Sequence, residues 1–209
     1  MISITIIIII ITVLISLSAF NNAEVYQKTL MNPFMIVRRK QYWRLITSGF
    51  IHGSYVHLGF NMFTFYFFGR LVEQVFIQLH GPAGGLVFVL FYLTALVISD
   101  LPTVWKHKDH VGYNSLGASG AVSAMVFASI LYFPVEKIYL FAVIGIPGFI
   151  LGAFYILYSY YQGKNMSDNI NHDAHLYGAI YGLAFGILVY PPSVPSFFEQ
   201  ITNYISGFF

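Results

Sequence analysis

Four side chains in this 209-residue sequence are of the types that hydrolyse amides: Ser119, His175, His57 and Asn61. A serine hydroxyl is a poor nucleophile until a base takes its proton, and neutral imidazole suits that task near neutral pH. Attack on an amide then creates an oxyanion, which is stabilised only by donors already in place. Ser119 lies in Gly117-Ala118-Ser119-Gly120 at the start of an apolar stretch. That position predicts a helix N-terminus, with unpaired backbone N–H groups and the positive end of the helix dipole. His57 and Asn61, spaced i and i+4, project further donors from one helical face.

The spacing of small residues suggests how serine and base meet. Ala121, Ala124 and Ala128 follow Ser119, while Gly178, Gly182 and Gly186 recur every four residues behind His175. Small residues at this period let membrane helices approach closely, and such stripes are ordinary helix-packing features when they stand alone. Here each stripe is headed by a reactive polar residue. His175 is three residues before Gly178, on the same face, so packing the stripes together carries the imidazole towards Ser119. Asp173, two places before His175, points about 200° away on a helix and is not expected to be a third catalytic member. His172 shares a face with His175 at i−3, and is expected at the water boundary.

The elements that hold these residues are membrane helices. With 57% hydrophobic and 9% charged residues, the chain lacks the polar surface a soluble fold would need. Its net charge of +2 is too small to imply nucleic acid. Cysteine is absent, which excludes disulfides, thiolate catalysis and thiolate metal sites. Apolar segments recur throughout without a shift in composition, so a single domain over 1–209 is expected, all-α, with six spans near 2–20, 55–77, 84–100, 118–133, 138–160 and 174–190. The first segment has no basic residue before it and is too long for a signal-peptide core, so it reads as a helix. Pro147 beside Gly145 and Gly148 predicts a kink in the fifth span. The connection from Asn21 to Ser54 carries Phe34, Met35, Ile36, Tyr42, Trp43, Leu45 and Ile46, and reads as an interfacial structure.

Successive spans alternate direction, so the second, fourth and sixth begin on one membrane face, and the four polar residues cluster at those beginnings. The run from Ser119 to Phe133 makes a helix of roughly 22 Å, against a hydrocarbon core of about 30 Å. If the Ser119 end is the submerged one, the non-helical stretch from Val111 to Gly117 dips into the membrane and must be shielded by protein or by cavity water.

Taken in order, these residues resemble the rhomboid proteases, over most of the chain from the Tyr42 region to Gly186. The resemblance rests on Trp43-Arg44, Phe50-Ile51-His52, His57-Leu58 with Asn61, Gly69 with Glu73, Gly117-Ala118-Ser119-Gly120, and Ala174-His175 with Gly178 and Gly182. A four-residue GxSG is weak alone, whereas the ordered set is highly specific. It implies a six-helix bundle that uses a Ser-His dyad to cut single-pass membrane proteins in or near their transmembrane segments. Ser119 would be nucleophile, His175 base, and His57 and Asn61 oxyanion ligands. Gly120, Gly178 and Gly182 would pack helices, and Trp43, Arg44, Gly69 and Glu73 would be structural. No cofactor and no metal are implied; the partners are single-pass substrates and lipid, not nucleic acid. A bacterial inner membrane is implied, with the site opening to the extracytoplasmic side.

Three departures from the family pattern stand out. Many members carry an aromatic residue four positions after the nucleophile that stacks on the catalytic histidine; here Ser123 occupies that place, so another group must orient the ring. Lys28, Arg38, Arg39, Lys40, Arg44, Lys106, Lys108 and Lys164 fall on the site face against Arg70 and Lys137 opposite, a bias that by charge counting would turn the site to the cytoplasm. No extramembrane domain is read, so regulation through one is not expected.

Other classes fit less well. Seven histidines suggest a metal protein, but HExxH is absent and nearby carboxylates are few. A catalytically silent rhomboid-like protein that escorts transmembrane helices would typically lack the serine or histidine, and both stand here. A transporter would want buried charge, and Glu73 with Arg70 reads instead as local capping near a helix end.

Overall fold

The computed structural model describes residues 3–140, 143–165 and 170–208. Its helices are α1 (Ile4–Asn21), α2 (Ala23–Thr29), α3 (Pro33–Arg39), α4 (Arg44–Thr47), α5 (Tyr55–His80), α6 (Gly84–His107), α7 (Ser119–Tyr132), α8 (Gly148–Asn165), α9 (His172–Val189) and α10 (Ser193–Ser206). An antiparallel pair, β1 (Lys137–Leu140) and β2 (Ile144–Pro147), joins α7 to α8, with Lys137 opposite Pro147 and Ile138 opposite Ile146. Residues 2, 141 and 142 of the expected spans lie outside the described residues.

The distribution of side chains on α1 reveals the solvent. Thr5, Thr12 and Ser16 are fully buried, whereas Ile10 and Leu14 are 52% and 62% exposed. A helix that turns hydroxyls inwards and isoleucines outwards is arranged for lipid rather than water. Thr12 satisfies its hydroxyl on its own helix, at Ile8 O, and Ser16 donates to Phe50 O. Among the described residues, Ile4–Asn21 and the stretch Tyr55–His107 are long and apolar enough to cross a membrane, and His172–Val189 with Ser193–Ser206, bent by 110°, qualifies as a pair. The stretch of 53 residues is a helical hairpin, broken by a 3-10 turn at Gly81–Ala83. A Cβ on Gly84 would lie 2.2 Å from Phe76 O, so only glycine lets α6 turn back so tightly against α5. Phe65 then meets Phe88 and Tyr92, and Phe76 meets Phe91, in the main core.

Helix α7 is central, buried along nearly its whole length and packed by α5, α6 and α9. At 14 residues it measures roughly 21 Å, well short of a bilayer core.

Three expectations are corrected here. The fifth helix starts at Gly148 rather than near 138, because Ile138, Ile144 and Ile146 are β-branched and Pro147 is a poor helix-interior residue; the stretch forms β1 and β2 instead. Pro147 is thus the last strand residue and not a kink. Glu73 does not serve as a local cap beside Arg70. Its carboxylate crosses to α1 and accepts from Ser3 Oγ, Ile4 N at 2.7 Å, Thr5 N at 3.0 Å and Thr5 Oγ1 at 2.7 Å, capping the N-terminus of that helix. Arg70 instead donates to Tyr66 OH, one turn away on its own helix. Finally, α10 is an additional amphipathic helix where no element was expected, tied back by Gln200, which donates to Tyr132 O.

The connection between α1 and α5 folds into α2, α3 and α4, braced by Arg44. Its buried guanidinium donates to Gln27 O, Leu30 O and Gln41 Oε1. Trp43 is half-exposed beside it. On the other side of the bundle Gly69 lets α1 approach α5, since a Cβ there would be 3.0 Å from Thr5 Cγ2.

Candidate active site

Ser119 is the first residue of α7, and its Oγ lies 2.9 Å from His175 Nε2 on α9. Both side chains are half-buried. The contact follows from the backbone packing beneath it. A Cβ on Gly178 would come within 2.1 Å of Gly120 O, and one on Gly182 within 2.2 Å of Ala124 O, so α7 and α9 touch backbone to backbone along this line. Gly186 continues it against Leu131 and Tyr132, whose hydroxyl donates to Gly186 O. Gly120 is enclosed from its other side as well, where a Cβ would meet Ser99 Oγ at 2.3 Å.

Ser119 follows an irregular segment that is held by several specific hydrogen bonds. Met31 and Ser115 exchange backbone hydrogen bonds, and Gly117 N donates to Ser48 O. Asn32 Nδ2 donates to Val111 O and Asn114 Oδ1, while its Oδ1 caps α3 at Met35 N. Non-helical backbone in a membrane protein needs such partners, and Met31, Asn32 and Ser48, from the connection between α1 and α5, supply them. Gly117 has φ +111°, a region that excludes most side chains, and a Cβ there would strike the His57 ring at 2.7 Å. His57 therefore packs directly on the loop that leads to Ser119.

His52 anchors the same loop from behind. Ser16 Oγ donates to Phe50 O, so it accepts from His52 Nδ1–H at 3.0 Å, which leaves Nε2 to accept a long 3.5 Å bond from Ala118 N. Burial, and then the neighbouring His57, push the His52 imidazole down to about 3, keeping it neutral and able to accept. Asn61 is buried one turn along from His57, with its Nδ2 donating to His57 O at 3.0 Å. One of its two amide hydrogens is thus engaged and one remains to donate elsewhere. No side chain caps the N-terminus of α7.

His175 is held by contacts that sequence reasoning missed. Asn171, at the N-cap of α9, accepts from Ala174 N and from Thr103 Oγ1, and donates to Asp100 Oδ1 and Ser115 Oγ. It therefore connects α9 to α6 and to the loop before Ser119. An N-cap asparagine before His172-Asp173 was the available signal. His172 is buried, not at the water boundary, with its ring edge-on to those of Tyr158 and His175. The aromatic neighbour absent at position 123 is present from another helix: the Tyr155 ring of α8 lies 6.3 Å from that of His175, tilted by only 27°, and its hydroxyl is 2.6 Å from Ser123 Oγ. Asp173 turns away to Lys106 Nζ at 3.1 Å. Among the described residues no three His, Asp or Glu side chains converge on a point that could hold a metal.

Comparison with known proteins adds the decisive observation. The Rhomboid domain family model matches residues 39–192, which contain His57, Asn61, Ser119 and His175. The chain belongs to the rhomboid family. It is 32% identical over 165 residues to RHOMBOID-like protein 12, mitochondrial, of Arabidopsis thaliana, covering 73% of this chain and 49% of that protein. It is 27% identical over 179 residues to a Bacillus subtilis (strain 168) protein named Putative rhomboid protease YdcA, covering 80% and 77%. Rhomboid-like protein 16, chloroplastic, also of Arabidopsis thaliana, is 30% identical over 114 residues, covering 50% and 35%. The chain thus spans half or less of the two plant relatives' lengths. As a rhomboid with lipid-facing apolar helices, it is a membrane protein, while its two plant relatives are named mitochondrial and chloroplastic.

Proposed function

We propose that this rhomboid is an intramembrane serine endopeptidase, a six-span bundle of α1, α5, α6, α7, α8 and α9 that cleaves single-pass transmembrane proteins within or near the bilayer. The observation that carries the reading is the 2.9 Å contact between Ser119 Oγ and His175 Nε2, fixed by glycine-to-backbone packing rather than by flexible side chains. In the forward step His175 Nε2 takes the Ser119 proton as Oγ attacks the scissile carbonyl carbon. The oxyanion that forms is met by the uncapped α7 N-terminus, by His57 beside Gly117 and by the remaining amide hydrogen of Asn61. Collapse expels the amine, which leaves with the proton from His175, and forms an acyl-Ser119 ester. Water, deprotonated by His175, hydrolyses that ester. The short α7 keeps the site below one membrane surface, where a transmembrane substrate can reach it and water can be admitted.

We further assign the membrane as a bacterial plasma membrane with the site face extracytoplasmic. Several of the cations that argue otherwise are engaged locally: Lys28 with Glu24, Arg38 with Asp109, Lys106 with Asp173, and Arg44 with backbone carbonyls. Accessibility of a single cysteine introduced at exposed Lys40 to an impermeant maleimide on intact cells tests this side; protection there overturns it.

The test of the chemistry is covalent labelling by a fluorophosphonate probe, alongside cleavage of a model single-pass substrate. Labelling and cleavage are expected in the parent and absent in Ser119→Ala. Labelling that survives Ser119→Ala moves the nucleophile, with Ser115 and Ser123 next. A folded parent that neither labels nor cleaves leaves the alternative, a silent rhomboid-like protein that binds and escorts transmembrane helices.

A further inference from the structure

The imidazole of His175 must present Nε2 to Ser119, and a histidine ring turns easily about its outer torsion unless something flat holds it. Tyr155 meets that need with three contacts. Its ring lies nearly parallel to the imidazole, at 27° and 6.3 Å between centroids. Its hydroxyl is fixed 2.6 Å from Ser123 Oγ, a buried residue one helical turn beyond Ser119. The Phe127 ring, one turn further along α7, packs on it at 5.5 Å. Serine nucleophile and tyrosine anchor are thus carried by the same rigid helix, so the ring plane that faces His175 is referenced to Ser119 itself.

We propose that Tyr155, locked by Ser123, is a positioning residue that fixes the plane of the His175 imidazole from α8. It rests on the Ser119–His175 reading given above. Three helices are then needed to complete the dyad: α7 for the nucleophile, α9 for the base, and α8 for the orientation of the base. A displacement of α8 away from α7 breaks the Ser123–Tyr155 bond and withdraws the parallel ring from the imidazole without moving either catalytic backbone, so base alignment reports on where α8 sits. The hydroxyl pair also explains a buried serine at position 123, which packing alone would fill with an apolar side chain.

The test uses the full chain in liposomes and follows kcat, KM and the rate of fluorophosphonate labelling of Ser119. Tyr155→Leu removes the ring, Tyr155→Phe keeps the ring without its tether, and Ser123→Ala removes the tether from the other side. Tyr161→Leu, an aromatic 67% exposed on the same helix, is the control for lost aromatic surface. Loss of orientation alone is expected to lower kcat by about 10- to 100-fold in Tyr155→Leu, with KM unchanged and labelling slowed in step. Tyr155→Phe and Ser123→Ala should each fall by only about three- to fivefold, and the double variant by no more than either, since both delete one bond. Tyr161→Leu should match the parent. Thermal unfolding in detergent compares the variants at equal foldedness. A Tyr155→Leu variant that unfolds like the parent and keeps parental kcat and labelling overturns the proposal, as does multiplicative loss in the double variant. A parent whose label is not on Ser119 overturns the underlying dyad first, and the two failures are therefore distinct.

Discussion

Gly178→Ala adds one methyl group at the point where α9 touches α7, and the structure gives its consequence in ångströms. The new Cβ would lie 2.1 Å from Gly120 O, 2.9 Å from Gly120 C and 3.1 Å from Gly120 Cα. These are backbone atoms, which cannot swing aside. Reaching an ordinary carbon–oxygen separation of about 3.2 Å requires the two helices to part by roughly 1 Å at this level. His175 is less than one turn away on α9, so most of that movement reaches the imidazole. Its bond to Ser119 starts at 2.9 Å. Even half of the movement takes the contact beyond the roughly 3.2 Å reach of a general base, and loss of that base removes about 10²- to 10⁴-fold in rate, or about 3–5 kcal/mol of barrier lowering. Gly152→Ala is the matched control, because its Cβ would also face α7 but would meet only side-chain atoms, Ile130 Cδ1 at 3.2 Å and Phe127 Cε1 at 3.4 Å. The assay is cleavage of a model single-pass substrate in liposomes, with fluorophosphonate labelling and thermal unfolding in detergent measured on the same preparations. Gly178→Ala should lose at least about 100-fold in kcat and label slowly, while Gly152→Ala stays within about threefold of the parent. If Gly178→Ala unfolds like the parent and labels at the parental rate, close backbone packing is not what brings the base to Ser119.

Gly117→Ala should also inactivate, through φ +111° and a collision with the His57 ring, and the accompanying loss of labelling separates it from a substrate-binding defect. Asn61→Ala removes one donor and is expected to slow turnover by about two to three orders of magnitude while leaving Ser119 able to label; parental turnover would leave the oxyanion to His57 and the α7 N-terminus. Asn171→Ala cuts the N-cap bond of α9 and three hydrogen bonds to α6 and the Ser115 loop, so both stability and labelling rate should fall, whereas Asn171→Asp retains the two acceptor roles and should retain more of the unfolding temperature. Glu73→Ala leaves the N-terminus of α1 uncapped, and should lower stability by about 1–3 kcal/mol without altering the per-molecule labelling rate of the folded fraction.

The approach of His175 to Ser119 was legible in the sequence because its supports are periodic. Glycines every four residues announce a close helix contact, and the reactive residue heading each stripe fixes the depth at which the helices meet. What escaped notice has no period. Ser48, Met31 and Asn32 hold the nucleophile's loop mainly through backbone atoms, which carry no side-chain signature. Tyr155 is one of many aromatic residues on α8, and nothing in spacing along one helix singles out the one facing a histidine on another. Glu73 beside Arg70 suggests a local cap because sequence neighbours are the partners that a sequence displays, whereas its four donors lie some 70 positions away. The fifth helix is shorter than its apolar run for a different reason: such a run at a membrane surface fits a strand pair as well as a helix, and here Pro147 and the β-branched isoleucines favour the strands.

The arrangement also shows why the segment before Ser119 can be irregular in a membrane protein at all. A serine at the first position of a short helix is useful only if the helix end is uncapped, because a side chain bound to those N–H groups would compete with the oxyanion. Leaving an N-terminus open below a membrane surface destabilises it unless the preceding chain is fixed by other means. Here that fixing is distributed: Met31 and Ser48 hold the backbone of Ser115 and Gly117, His52 holds Ala118 from the α1 side, and Asn171 reaches Ser115 from the base's own helix. The site's openness is therefore offset by bonds made just outside it, and three of those four brackets come from the segment between α1 and α5. That segment lies mostly outside the bundle but belongs mechanically to the nucleophile. Substitutions in it should alter the reactivity of Ser119 more than the unfolding temperature of the helices, the opposite of the balance expected at Glu73.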